Sequence, residues 1–253
     1  MSSKNIIFYF TGTNNSLMAA QIIAAKLGDC QLIALSQFNT METIEAERVG
    51  VVCPVYYWGL PNIVRETVAK LKLKPDTYVY GIITMGSRAG NALPELERIL
   101  ASHSVPNKLS YGACVKCPDN YSTLLGFQKP ASQKQLLADA RVQLENISEE
   151  IEKRKENQIP KFKKTTEFLY SSKRKSLRKN AGKYCVGQEC IGCGECVRSC
   201  PVQNIWMEEG KPVFGQQCEF CLSCISNCRQ FAIQIGKKTK GKPRYTNPMV
   251  KKT

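Results

Sequence analysis

The sequence has little histidine and few acidic residues in relation to its basic ones. A single histidine, His103, stands among 253 residues, and 36 lysines and arginines outnumber 21 aspartates and glutamates. One histidine excludes metal sites that are built from several imidazole ligands. His103 follows the apolar segment 99–101 at the end of a predicted helix, so we expect a structural or solvent-facing side chain and not a catalytic one.

Long apolar runs are also absent. No stretch approaches the roughly 20 apolar residues that a bilayer-spanning helix needs. The N-terminal run from Asn5 to Phe10 is too short for a secretory signal, and no small-residue cleavage site follows it. We therefore predict no transmembrane segment and a cytoplasmic location.

The first 130 residues alternate between short apolar runs and helical segments. Near-continuous apolar runs are typical of strands buried on both faces of a parallel sheet. The predicted strands are 5–10, 31–35, 50–55, 78–84 and 108–115, and the predicted helices between them are 16–27, 61–71 and 94–101. A further helix is predicted by apolar residues at steps of three and four, namely Leu137, Ala140, Leu144, Ile147 and Ile151. This pattern predicts an α/β fold, a doubly wound parallel sheet with helices on both faces.

The positive charge divides the chain unevenly. Residues 161–253 contain 19 basic and 6 acidic residues, a balance of +13 out of the total of +15. We divide the chain into an α/β domain at 1–160, a basic linker at 161–183, a small α+β cysteine-rich domain at 184–236 and a basic tail at 237–253. The tail has seven basic residues and no acidic one, and we expect it to be mobile.

Eight of the thirteen cysteines fall within residues 190–228, in two runs with the spacing CxxCxxCxxxC. Three cysteines within seven residues let one loop bind three corners of a [4Fe–4S] cluster, and the fourth cysteine binds the other cluster. The predicted sets are crossed. The first set is Cys190, Cys193, Cys196 and Cys228, and the second set is Cys200, Cys218, Cys221 and Cys224.

Other interpretations of the cysteines carry less weight. Structural zinc sites are the alternative for the two runs, but zinc sites typically use paired cysteines with a longer spacer. Cys114 and Cys117 form a further CxxC pair, which lacks a partner pair for zinc and a thioredoxin context, so we treat it as incidental. The first run is followed by Pro201, whereas Arg229 follows the second run.

A hydroxyl-rich loop follows the first predicted strand, from Thr11 to Ser16. A loop between a strand and a helix can bind phosphate through backbone N–H groups and the helix N-terminus. The hydroxyls of Thr11, Thr13 and Ser16 are further donors. A polar turn that only caps the helix is the alternative interpretation.

Two more loops should meet the first one at the carboxyl edge of the sheet, where ligands bind in this fold. The third strand leads into Pro54, Tyr56, Tyr57, Trp58 and Gly59, whose aromatic rings are suited to stacking on a flavin ring. The fourth strand leads into a glycine-rich loop, 84–90, that includes Thr84, Gly86 and Gly90. Together the three loops predict a flavin site.

The stretches YFTGTNNS and PVYYWGLP, with the two cysteine runs, resemble a fusion of a flavodoxin-like domain with a bacterial-type two-cluster ferredoxin, found in anaerobes. The resemblance covers nearly the whole chain. It implies a flavodoxin-like doubly wound parallel sheet in the order 2-1-3-4-5 and FMN as the flavin. It implies phosphate binding by Thr11, Gly12, Thr13, Asn15 and Ser16, and ring binding by Tyr56, Tyr57, Trp58 and Gly59. Asn14 stands where this family usually has glycine, and asparagine tolerates the left-handed conformation well.

These features predict electron transfer between two [4Fe–4S] clusters and FMN, which couples one-electron and two-electron carriers. No general acid, base or nucleophile constellation is evident beside the flavin, so any catalysis would belong to the cofactor. The alternative is a flavin-dependent reductase of a quinone or another small molecule, fed by the clusters. The basic charge favours an acidic redox partner. Structural clusters in a nucleic-acid-binding protein are a third interpretation, but no recognition motif supports it and we expect no nucleic-acid partner.

Overall fold

The structure is a computed structural model that describes residues 4–38, 42–121, 129–177 and 182–250. Within these ranges, no helix has the length and apolar character that crossing a membrane requires. The strands are β1 (Asn5–Tyr9), β2 (Cys30–Ala34), β3 (Arg48–Pro54), β4 (Tyr78–Met85), β5 (Leu109–Lys116), β6 (Tyr184–Val186), β7 (Ile205–Glu208), β8 (Lys211–Phe214) and β9 (Ile233–Ile235). The helices are α1 (Asn15–Leu27), α2 (Asn62–Val68), α3 (Ala92–Ala101), α4 (Pro130–Glu152), α5 (Lys164–Leu177), α6 (Glu195–Arg198) and α7 (Ser223–Asn227).

Strands β1 to β5 form one parallel sheet in the order β2-β1-β3-β4-β5. The sheet is buried on both faces, and β4 shows this most clearly, since every residue from Tyr78 to Thr84 is buried. This burial explains why its strands read as continuous apolar runs and not as alternating ones. The predicted fold class and strand order are confirmed.

Helices cover the sheet on both sides. On one face α2 and α3 contribute Val64 and Leu96 to a core that also contains Val51 of β3. On the other face α1 and α4 pack together, and Ile23 and Leu144 are fully buried there. All five apolar residues that predicted the last helix are buried on α4: Leu137, Ala140, Leu144, Ile147 and Ile151. The expectation that this helix covers the sheet is therefore confirmed.

The cysteine-rich part is built from two antiparallel strand pairs, β6 with β9 and β7 with β8, and two short helices. Its buried core is small and includes Cys196 of α6 and Cys224 of α7 beside Leu222, Ile225 and Ile233. A unit this small rarely buries enough apolar surface to fold by itself. Its stability therefore depends on what the cysteines hold and on its contacts with the sheet domain.

Helix α5 lies inside the segment predicted as a basic linker, 161–183. Tyr170 is fully buried on α5, with its ring against Gly59 of the sheet domain. Leu177, at the end of α5, belongs to the core of the cysteine-rich part. The helix thus connects the two halves and packs against both of them.

The tail departs from the expectation of mobility over residues 237–250. Tyr245 and Asn247 are 5% and 2% exposed, and Val250 belongs to the core on the α1 side of the sheet. The charge pattern predicted a solvated segment because lysines dominate it. The tyrosine and the valine between them provide apolar anchors that favour packing. Residues 251–253 lie outside the described part of the chain.

Candidate cofactor sites

The loop from Thr11 to Ser16 joins β1 to α1 at the carboxyl edge of the sheet. Asn14 has φ of 71° and so adopts the left-handed conformation predicted for it. The amides of Thr11, Gly12 and Thr13 have no acceptor among the described residues. Ser16 is buried, and its Oγ lies 2.8 Å from Oγ1 of Thr84. The loop thus presents unpaired N–H groups, and a helix N-terminus, to the space beside it.

A tight hairpin follows β3. Tyr56 and Gly59 exchange two backbone hydrogen bonds of 3.0 and 3.1 Å. The two central residues, Tyr57 and Trp58, have φ of 46° and 64°. Large aromatic residues rarely adopt this conformation, because it crowds Cβ against the backbone at a cost of about 1 to 2 kcal/mol each. The hairpin therefore stores strain that its neighbours must offset.

Gly90 is one of these neighbours. A Cβ on Gly90 would lie 2.3 Å from the carbonyl oxygen of Trp58, and Gly90 itself has φ of 58°. The amide of Asn91 donates to the same carbonyl over 2.7 Å. Gly90 thus stands behind the hairpin as its support and does not line the cleft.

Gly90→Ala should therefore displace the hairpin and weaken flavin binding by about tenfold, since left-handed strain and a backbone collision add together. Titration of the flavin-free protein with FMN, followed by quenching of flavin fluorescence, measures the change. Gly28→Ala is the matched control, because Gly28 has φ of 60° and nothing within 4 Å of its added Cβ. Equal FMN affinity in the Gly90 variant and the control would contradict the supporting role.

The three predicted loops surround one open cleft. Its lining contains Thr11, Gly12, Thr13, Asn15, Ser16, Pro54, Tyr56, Tyr57, Trp58, Thr84 and Gly86 among the predicted residues. Gly59 and Gly90 lie behind it, and Asn14 lines a separate cavity on the β2 side of the loop. The structure thus brings together eleven of the fourteen predicted flavin-site residues.

A fourth loop, Cys117–Tyr121 after β5, also lines the cleft and was not predicted. Gly86 lies so close to Asp119 that an added Cβ would be 2.8 Å from the Asp119 side chain. Tyr121 shares a short hydrogen bond with Tyr57 through their hydroxyl groups, and burial together with that bond raises the pKa of Tyr121. No motif marks this loop in the sequence.

Cys114 and Cys117 do not form a close pair. Cys114 packs against the core on the α2 and α3 face, whereas Cys117 belongs to the core on the opposite face. Burial raises the pKa of Cys114 to about 11 and that of Cys117 to about 12, so both are neutral thiols near pH 7. Both observations agree with the interpretation of the pair as incidental.

The cysteine-rich part forms one wall of the same cleft through Leu177, Glu219 and Phe220. Cys221 packs directly on the loop from Thr11 to Ser16, because a Cβ on Gly12 would lie 2.7 Å from the Cys221 carbonyl oxygen. We call residues 11–16 the phosphate loop, after the ligand that the sequence predicts for them. The Cys221 carbonyl also accepts a 2.9 Å hydrogen bond from the Asn120 side chain.

Glu219 joins the same two regions by a different contact. Its carboxylate is buried and accepts hydrogen bonds of 2.9 and 3.0 Å from the amides of Asn62 and Ile63 at the start of α2. A negative carboxylate at the first amides of a helix is stabilised by both the hydrogen bonds and the helix dipole. The second cysteine run is therefore anchored to the sheet domain on either side of Phe220.

The eight cysteines of the two runs separate into two groups of four. One cavity is lined by Cys190, Cys193, Cys196 and Cys228, and another by Cys200, Cys218, Cys221 and Cys224. Each group takes three cysteines from one run and the fourth from the other run. This is the crossed arrangement that the spacing predicts.

The two cysteine loops have the same unusual backbone. Gly192 and Gly194 of the first run have φ of 69° and 70°, and Phe220 and Leu222 at the equivalent positions of the second run have φ of 55° and 60°. Bulky residues do not adopt this conformation without compensation. A repeated loop shape that overrides residue preference fits a shared task, which is to wrap a cofactor.

The surroundings of the second group suit thiolate ligands of a metal cluster. Burial raises the pKa of the Cys221 and Cys224 thiols, so charged thiolates need a compensating cation such as iron. Two backbone amides already point at sulfur: Asn204 N–H donates to Cys200 over 3.2 Å, and Phe220 N–H donates to Cys218 over 3.3 Å. Such donors stabilise negative charge on cluster sulfurs.

Comparison with known families and structures distinguishes the same two parts of the chain, the sheet domain and the cysteine-rich part. The family model of the 4Fe-4S binding domain matches residues 188–206, which contain the first cysteine run. No curated protein matches the sequence significantly.

Several solved flavoproteins align with the N-terminal half. The two-electron-reduced flavodoxin of Megasphaera elsdenii is 19% identical over 55% of this chain and 98% of that chain, with a TM-score of 0.38. An FMN-dependent NADH-azoreductase from Bacillus anthracis, in complex with FMN, is 9% identical over 59% and 99% of the two chains, with a TM-score of 0.40. Rubredoxin:oxygen oxidoreductase from the anaerobe Desulfovibrio gigas is 15% identical over 59% and 36%, with a TM-score of 0.38. TM-scores this low carry no argument, so the assignment of the fold rests on the strand order of the sheet. The chain joins a flavodoxin-like sheet to a 4Fe-4S binding segment, and the predicted combination is confirmed at that level.

Proposed function

We propose that this chain transfers electrons between two [4Fe–4S] clusters, one in each cysteine group, and an FMN molecule in the cleft of the sheet domain. The observation that carries the proposal is the contact between Cys221 and Gly12. It places a member of the second cysteine group against the phosphate loop of the cleft. Two cofactor sites that share a wall favour transfer within one molecule.

The cleft residues fit FMN. The unpaired amides of Thr11, Gly12 and Thr13 suit a phosphate, which needs several N–H donors. Tyr56 has a buried hydroxyl with no partner among the described residues, and it faces Gly12. A buried hydroxyl without a partner is costly, so a polar ligand at this position would relieve that cost. Tyr57 and Trp58 offer aromatic rings at the cleft wall.

The chemistry divides between the two kinds of cofactor. Each cluster carries one electron at a time, whereas FMN holds one or two. The protein supplies the cysteine ligands, the amide donors to sulfur, and a cleft wall of Leu177, Phe220 and Tyr121, in which the rings of Tyr121 and Phe220 meet edge to face. The Cys117 thiol also lines the cleft, and burial raises its pKa to about 12, so it is neutral near pH 7.

The second cysteine group adjoins the cleft, and the first group reaches the surface. Cys193 is exposed, and Ile191 beside it is 68% exposed. Electrons from another protein would therefore enter or leave most easily at the first group. With a formal charge of +15, the chain is suited to an acidic redox protein as the partner, drawn to it by electrostatic steering. A reducing cytoplasm, which keeps cysteines free for iron, is part of the proposal.

A flavin-dependent reductase is the second candidate, favoured by the open mouth of the cleft. Ser87 and Arg88 line the cleft and are exposed to solvent, and Trp58 is 42% exposed. Such a mouth would admit a quinone or another small molecule. In that case the substrate would compete with the protein partner for the same reduced flavin.

An anaerobic cofactor analysis tests the proposed function. We expect about eight iron atoms, eight sulfides and one FMN per chain after reconstitution. Rapid mixing with a one-electron reductant should then reduce the clusters first and the flavin afterwards, at a rate independent of protein concentration.

Two outcomes would overturn the proposal. Full iron without flavin, even in excess FMN, would remove the flavin from it. Flavin reduction that depends on protein concentration would show transfer between molecules instead of within one. Turnover of added quinone faster than any protein acceptor would favour the reductase.

A further inference from the structure

The basic tail contacts both halves of the molecule. Arg244 holds the cysteine-rich part by donating to four backbone carbonyls over 2.5 to 3.2 Å, those of Ile225, Cys228, Phe231 and Ile233. Its guanidinium also lies 4.4 Å from the centre of the Phe231 ring. A planar group with five donors satisfies this geometry, which a lysine does not.

The next residues of the tail reach the phosphate loop. The Tyr245 hydroxyl donates to Oδ1 of Asn15 over 2.7 Å, and the amide of Asn247 donates to the carbonyl of Thr13 over 2.9 Å. The Asn247 side chain donates to the same Oδ1 of Asn15 over 3.2 Å. All three tail groups are donors, and all their acceptors belong to the phosphate loop.

Asn15 is fixed from two directions by these contacts. Its Oδ1 accepts from the tail, and its Nδ2 donates to the carbonyl of Pro118 over 2.9 Å. Asn15 is the first residue of α1 and lines the cleft. Its backbone position therefore decides where the first amides of α1 point.

Two prolines and an apolar anchor hold the tail segment in place. Pro243 precedes Arg244 and Pro248 follows Asn247. Each proline restricts the backbone, which lowers the entropy that docking costs. Beyond them Val250 is buried in the core on the α1 side of the sheet. The segment crosses from the cysteine-rich part to the back of the phosphate loop and ends in the core.

We infer that residues 244–250 form a strap that positions the phosphate loop and makes FMN affinity depend on the cysteine-rich part. The inference rests on the proposed function for its ligand. The positioning residues are Tyr245 and Asn247, which act through Asn15 and Thr13, and Arg244 connects them to the cysteine-rich part. Loosening any of them lets the amides of the loop depart from the arrangement that binds phosphate.

FMN and riboflavin distinguish this strap from a general stabiliser, because riboflavin lacks the phosphate. We expect Tyr245→Phe to raise the dissociation constant of FMN about fivefold and a chain that ends at Lys242 to raise it about 30-fold, with riboflavin affinity unchanged in both. Arg244→Lys should act in the same direction as Tyr245→Phe, although it leaves every contact to the loop in place. Each variant is tested as the full iron-loaded protein, with its iron content measured beforehand.

Two controls match these variants. Tyr111→Phe also removes the hydrogen bond of a tyrosine hydroxyl, the one that Tyr111 donates to Glu150, and no tail residue takes part in that bond. A chain that ends at Val250 retains all tail residues that the structure describes. Both controls should bind FMN like the parent protein.

Three results would overturn the strap: parental FMN affinity in the shortened chain, equal losses for FMN and riboflavin, or an unchanged dissociation constant in both Tyr245→Phe and Arg244→Lys. If the parent protein binds no FMN, the proposed function fails separately. Hydrogen exchange then still tests the strap, since the amides of residues 11–17 should exchange about tenfold faster in the shortened flavin-free chain. Unchanged exchange there would overturn it.

Discussion

Replacing Cys193 and Cys228 together by alanine should leave about half of the iron in the protein, whereas replacing Cys193 and Cys200 together should remove nearly all of it. The two double variants differ only in the cavity that the second cysteine lines. Cys193 and Cys228 line the same cavity, so the first variant damages one cluster. Cys200 lines the other cavity with three cysteines of the second run, so the second variant damages both.

Iron and acid-labile sulfide, measured after anaerobic reconstitution, give the result directly. Electron paramagnetic resonance of the reduced protein should show one remaining cluster in the first variant and no intact cluster in the second. Cys185→Ala is the control, because Cys185 is an exposed cysteine outside both groups. If each run held its own cluster, the outcome would be reversed, since Cys193 and Cys200 would then share a cluster.

The same two double variants also test how the folding of the cysteine-rich part depends on its clusters. Crossed ligands tie the two cysteine runs together, and the small core of this part includes Cys196 and Cys224. Loss of both clusters should therefore unfold residues 184–236 while the parallel sheet persists. Far-ultraviolet circular dichroism of the two double variants should differ accordingly.

The sequence predicts well what depends on local pattern. Continuous apolar runs mark strands that are buried on both faces, and β4 is buried along almost its whole length. Asn14 stands where the family that the chain resembles usually has glycine, and its φ of 71° is the left-handed conformation that asparagine tolerates well. The two groups of cysteines also follow from local spacing. Three cysteines that are spaced three residues apart on one loop bind one cluster, and the fourth cysteine of the run binds the other cluster.

The contacts that join the two halves are not visible in the sequence. Glu219 reaches α2 across 157 residues, and Tyr245 reaches Asn15 across 230. Such contacts depend on how the two folded parts pack against each other, and the periodicity of a local segment does not indicate which residues will meet. The tail was misjudged for a related reason: its lysines dominate the composition, while the few residues that anchor it decide its packing.

Gly12→Ala should weaken FMN binding by about 100-fold, which corresponds to about 2.7 kcal/mol. A Cβ on Gly12 would lie 2.7 Å from the carbonyl oxygen of Cys221, 3.0 Å from its Cβ and 3.2 Å from the Tyr56 hydroxyl. The nearest of these atoms belongs to backbone, so no side-chain rotation relieves the collision. Either the phosphate loop or the second cysteine loop must move, and overpacking of this kind costs about 1 to 3 kcal/mol.

Two readouts show which loop moves. Titration with FMN reports on the phosphate loop, and the resonance spectrum of the reduced second cluster reports on the cysteine loop that contains Cys221. The cluster of the first group, whose four cysteines line a different cavity, should keep its spectrum. Gly182→Ala is the control, since an added Cβ at Gly182 meets nothing within 4 Å.

A change in both readouts from one methyl group would mean that the two sites share their wall in solution. Parental FMN affinity together with a parental spectrum would contradict the contact between Gly12 and Cys221, on which the proposed transfer between the sites depends. A change in the cluster spectrum alone would place the flavin elsewhere, because the amides of the phosphate loop would then not be needed for FMN. Gly12 is therefore the position where the fold, the cysteine group and the flavin site are tested by the same substitution.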